Sequence, residues 1–164
     1  MRGIIVLSAF LFNHLALAFE PSILIANYTL KTRVGNCPSD LKCVDQSLGQ
    51  MNSIHCYNIS LEANKNANLE FVVNVLQLNQ PSYNVVSAGE ISNYTYKMAA
   101  DKLTIVQKTK VYMDENNRFP SPFHNYKLTT NVEVLNDSLL ITEKKDVRSY
   151  RSCEFVKISS TNSH

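Results

Sequence analysis

After its first residues, the chain has no apolar run long enough to cross a bilayer as a helix, which takes roughly 20 consecutive apolar residues. It has no glycine-rich fingerprint and no phosphate loop, and it lacks G-x-S-x-G and H-E-x-x-H. Without these motifs, and with few histidines, there is no constellation for nucleophilic or metal-assisted chemistry. Charge of one sign is also scarce. The formal net charge is +2, whereas nucleic-acid binders concentrate basic residues in one field. The basic clusters Lys108/Lys110, Lys144/Lys145 and Arg148/Arg151 are spaced like the solvated faces of strands. The expectation is a protein that is not an enzyme, takes no metal or cofactor, and does not bind nucleic acid.

No segment sustains a 3.6-residue apolar period, so a helical fold is excluded too. What is present is alternation. SILIANYTLKTRV (22–34) is rich in β-branched and aromatic residues. NLEFVVNVLQLN (68–79) shifts its apolar phase midway, which predicts a bulge or burial on both faces. Gly89 predicts a bend between 83 and 100. Residues 126–134 alternate cleanly, Asn136-Asp137 supplies a turn, and 138–145 returns, a hairpin signature. The pattern predicts an all-β chain of about eight short strands in an antiparallel meander barrel, with a β-sandwich as second choice.

The chain begins MRGIIVLSAFLFNHLALAFE, with a basic residue, an apolar stretch and the small-x-small site Ala16-Leu17-Ala18. This is the layout of a secretory signal peptide over residues 1–18, cleaved after Ala18. Residues 19–164 then form one secreted or periplasmic domain with no transmembrane segment.

Four cysteines in an oxidising compartment imply two disulfides, and three connectivities are open. Cys43 and Cys56 lie in two short strand-like segments, equidistant from the middle of a polar loop that contains Gly49. In a hairpin they face each other at bridging distance. That ranks Cys43–Cys56 with Cys37–Cys153 first, the second bridge tying the first strand region to the last. The spacings C-x₅-C and C-x₁₂-C do not fit a zinc site. His55, beside Cys56, points to the opposite face of its strand and is no partner for that thiol.

Gly35-Asn36-Cys37-Pro38, the run Leu139 to Lys144, and Ser152-Cys153-Glu154-Phe155-Val156-Lys157 together resemble lipocalin-like small secreted β-barrel proteins. The Gly-x-Trp of that family has no counterpart, since the chain has no tryptophan. The resemblance implies a closed meander.

Two functional expectations follow. In the first, a pocket in the barrel takes a small apolar ligand, lined by Phe71, Val73, Leu103, Ile105, Tyr126, Leu128, Val132 and Val134. These same residues also suit a dry, filled core. In the second, the loop 115–125 meets a protein partner through Phe119, Pro120, Pro122 and Phe123, as an inhibitor, effector or envelope accessory factor. Four N-x-[ST] triplets start at Asn27, Asn58, Asn93 and Asn136, a number that an asparagine-rich chain produces by chance.

Overall fold

A computed structural model describes residues 19–48, 51–60, 67–113, 116–117, 120–121 and 124–158. The signal peptide expected over 1–18, and Phe119, Pro122 and Phe123 of the expected partner loop, lie outside the described residues.

The ten strands among the described residues belong to one antiparallel sheet: β1 (Ala26–Val34), β2 (Asp40–Leu48), β3 (Met51–Tyr57), β4 (Glu70–Asn74), β5 (Tyr83–Ser87), β6 (Glu90–Ala99), β7 (Lys102–Val111), β8 (Tyr126–Leu135), β9 (Ser138–Lys145) and β10 (Arg148–Lys157). Their order across the sheet is β4-β3-β2-β1-β10-β9-β8-β7-β6-β5. The fold is therefore all-β and barrel-like, a half-barrel of ten strands rather than the eight expected. The first and last strands pair in its middle, Leu30 opposite Phe155. The edges are β4 and β5, which are consecutive in the chain.

Local chemistry explains the turns. Gly89 adopts φ +77 in the two-residue connection between β5 and β6. Asn136 takes φ 49 between β8 and β9, a conformation asparagine tolerates better than most residues. The phase shift after Phe71 has a different cause from the one expected: β4 stops at Asn74, and a 3-10 turn, Val75–Gln77, follows.

The concave face carries the core. Leu103, Val132 and Ile141 stand side by side across β7, β8 and β9, and all are fully buried. Leu139 lies opposite Phe155 on β10, and both are buried as well. Tyr28, Leu41, Cys43, Ile54, Cys56, Phe71 and Val73 continue the core across β1 to β4.

Both disulfides form. Cys43 and Cys56 are directly paired residues of β2 and β3, with Cα atoms 4.1 Å apart. Cys37, in the β1–β2 connection, is bonded to Cys153 on β10, a separation of 116 residues. Such bridges point to an oxidising extracellular or periplasmic environment. Among the described residues, no helix is long and apolar enough to cross a membrane.

One expected surface residue is inside. Arg151 shares the face of Cys153 and Phe155, and it lies opposite Glu143 on β9. Both side chains are almost fully buried, and the Arg151 Nε donates to Glu143 Oε2 at 2.6 Å. Its two other nitrogens donate to the carbonyls of Asn36 and Asn68, at 3.2 and 2.6 Å. Thr130 Oγ1 donates to the second Glu143 oxygen at 3.2 Å. Burial is possible because every face of the ion pair is served, as a desolvated charge requires. Gly35 makes the closure feasible. A β-carbon there would lie 2.8 Å from the Tyr150 carbonyl oxygen, and its φ is +80.

Candidate ligand cleft

The sheet curls until its β4 edge meets the concave face of the far strands. Tyr96 on β6 makes the contact. Its hydroxyl donates to the Val72 carbonyl at 3.2 Å and accepts from the Asn74 N–H at 3.2 Å. A single phenol thus occupies two backbone groups of an edge strand, groups that would otherwise need solvent or another strand. Tyr96 is buried and lies within 2.8 Å of the Tyr83 hydroxyl.

Around this seam lies a cavity of about 430 Å³, within the range of small-molecule sites. Phe71, Ile105 and Leu128 provide apolar walls, and Tyr83 and Tyr94 provide aromatic ones. The rings of Tyr83 and Tyr94 are stacked, with centroids 5.2 Å apart and planes 15° from parallel. Tyr83 also stacks on Tyr96 at 5.8 Å. The ladder follows from register: Tyr83 and Tyr94 are direct cross-strand partners on β5 and β6, and Tyr96 is two residues further along the same face.

Burial pushes the Tyr83 phenol well above its ordinary value, helped by the hydrogen bond to Tyr96 and the neighbouring phenols. Burial raises Tyr94 as well. These hydroxyls therefore stay neutral donors throughout the physiological range. Polar groups on the same face pair among themselves. The Ser92 and Thr109 hydroxyls are 2.8 Å apart, and the Gln107 amide donates to both.

The eight residues expected to line a pocket divide three ways. Phe71, Ile105 and Leu128 line the cleft. Val73, Leu103 and Val132 are fully buried in the packed core, and Val134 packs against it. Tyr126 borders a different hollow of about 640 Å³ with Lys108, Lys110 and Lys127. The sequence reading passed over Tyr83, Tyr94 and Tyr96. Their signal was an i, i+2 tyrosine pair in NYTYK, which puts two rings on one strand face.

The described part of the 115–125 loop folds back on β7. The Ser121 N–H donates to the Val111 carbonyl at 2.7 Å, and Pro120 bridges to Tyr112. The Ser121 hydroxyl is 2.7 Å from His124 Nδ1. His55 pairs with Glu70 at 2.8 Å and contacts the Tyr57 ring. No group of three or more His, Cys, Asp or Glu among the described residues could hold a metal ion.

Comparison with family models, with curated proteins and with solved structures finds no match to this chain.

Proposed function

We propose that the chain is a secreted, non-enzymatic binding protein that takes a small apolar ligand into the cleft between β4 and the concave face of β5–β8. The observation that carries this reading is the cavity of about 430 Å³ walled by Phe71, Ile105, Leu128 and the tyrosine stack. A protein that needed only a filled core would place side chains there, as it does at Leu103, Val132 and Ile141. In this reading residues 1–18 direct export and are removed, and the two disulfides hold the scaffold in an oxidising compartment. The likeness to lipocalin-like proteins belongs to the same proposal, supported by the meander order of neighbouring strands.

Native mass spectrometry of the protein purified from its own host tests it. The expected result is a retained mass of a few hundred daltons that departs on denaturation. A bare polypeptide that also fails to take up a fluorescent apolar probe sinks the cleft reading. Attention then passes to a protein partner at the 115–125 loop.

A further inference from the structure

Lysines that the sequence scatters through β7, β8 and β9 come together on one face of the sheet. Lys108 and Lys127 are direct cross-strand partners, and Lys110 is two residues along from Lys108. Lys144 on β9 pairs with Thr129, two residues from Lys127. All four are exposed, each in the phase opposite its own strand's buried residues. Like charges placed directly opposite each other destabilise a sheet. None of the four lysines forms an ion pair with a described residue, so nothing described here offsets the repulsion.

Lys108, Lys110 and Lys127 line the hollow of about 640 Å³. Its amides are turned to donate as well. The Asn93 amide donates to Asn84 Oδ1 at 2.9 Å, and the Val111 N–H donates to Asn125 Oδ1 at 3.1 Å. With both oxygens engaged, the amide nitrogens of Asn84 and Asn125 are the groups left to meet a ligand. Asp146 supplies the one carboxylate of the lining, and its Oδ1 already accepts from the Lys127 N–H at 2.9 Å. A wall rich in donors and poor in acceptors is the complement of an oxyanion. Adjacent strands lie about 4.8 Å apart. Ammonium groups carried on three strands therefore outreach one sulfate-sized ion and call for several anionic groups in a row. None of the exposed large apolar side chains lines the hollow, so a bilayer finds no anchor in it.

We infer that this hollow holds a sulfated polysaccharide chain, whose sulfate esters lie among Lys108, Lys110 and Lys127 and whose line continues past Lys144. The lysines stand on the sheet face opposite the cleft, and the inference is independent of the cleft reading.

Titration calorimetry with a heparin hexasaccharide and its desulfated form, at about 0.15 M salt, tests it. The wild-type protein should bind the sulfated form and not the other. Lys108→Gln with Lys127→Gln should lose about tenfold in affinity, the effect of two net hydrogen bonds. Its urea midpoint should hold or rise, because a repulsive pair is gone. Lys97→Gln with Lys157→Gln makes the same change in net charge at exposed positions outside the hollow, and should stay within about twofold of the wild type. Asp146→Asn keeps the acceptor for the Lys127 N–H and should tighten binding about threefold. Equal losses in the two double variants overturn the site, leaving only general attraction between charges. Equal binding of the desulfated form overturns the ligand class, as does tighter binding to a single-stranded oligonucleotide or to phosphatidylserine vesicles. No binding by the wild-type protein overturns site and ligand together.

Discussion

Strands β2 and β3 face the interior with a disulfide and apolar side chains, whereas β6 and β7 add hydroxyls, an amide and tyrosines to the apolar Leu103 and Ile105. On the first side Leu41, Cys43, Ile54 and Cys56 are nearly or fully buried, and Tyr28 satisfies its hydroxyl on the Leu24 carbonyl at 2.9 Å. On the second side Ser92, Thr109 and Gln107 form a hydrogen-bonded cluster beside open space. The disulfides and most of the cleft wall thus lie on different strands, meeting where Phe71 of the cleft pairs with Cys56. Both disulfides sit among β1, β2, β3 and β10, and the cleft's inner wall comes from β5 to β8, which have no cysteine.

Removing the staples should break this contrast most severely. In the chain-entropy account, opening Cys37–Cys153 by paired serine substitution should cost about 4–5 kcal/mol, against about 3 for the short Cys43–Cys56 loop. Urea unfolding of the two variants measures both. Equal losses would mean that loop length does not govern their contributions.

The ion pair at the join between the two sides comes next. Glu143→Gln or Arg151→Met alone leaves a buried charge or a set of unmatched carbonyls, and each should lose about 3–5 kcal/mol. The double replacement should lose much less than the sum, because it removes both charges together. Additive losses in a double-mutant cycle would show that the two residues stabilise the fold independently.

The smallest effect sharpens the comparison by pH. Burial pushes Tyr28 up to about 12, and burial raises Tyr83 and Tyr94 with help from neighbouring phenols. A raised folded-state value means the stabilisation is complete below the ordinary phenol value near 10 and is lost as pH rises above it. The urea midpoint should therefore stay level, as far as these groups go, to about pH 9 and fall beyond about pH 10. Phenolate absorbance should reveal fewer ionised tyrosines in the folded protein than in urea at about pH 11. Coincident titration curves for folded and unfolded chains would remove the argument that these rings are desolvated.

Much of the fold was legible because alternation and turn chemistry are local. The β8–β9 hairpin follows from 126–145 alone, and the facing positions of Cys43 and Cys56 follow from symmetry about their loop. Gly89 was expected as a bend, and Ala88-Gly89 proves to be the full two-residue turn that divides 83–100 into β5 and β6. Arg151 was misplaced because its charge was given more weight than its phase. It alternates with Cys153 and Phe155, and Glu143 alternates with Ile141 and Leu139. Two opposite charges each in phase with a buried face are the sequence signature of such a pair. The cleft was only partly legible. Phe71, Ile105 and Leu128 came from strand phase, but the approach of β4 to Tyr96 depends on how far the sheet curls. No local pattern encodes that curvature.

The central pairing of β1 with β10 bears on how the chain is made. The partner of Leu30 is Phe155, and the partner of Cys37 is Cys153. On a ribosome, or emerging through a translocation pore, the first four strands appear long before the strand that joins them to the rest. Until then β1 presents an open edge, and contacts this distant in sequence make for slow assembly. The Cys43–Cys56 bridge needs only its own hairpin, while the native partner of Cys37 is 116 residues away in sequence. The four cysteines thus carry one local bridge and one that spans most of the chain, and a Cys37 bond to Cys43 or Cys56 would be a non-native pairing that thiol–disulfide exchange would have to undo.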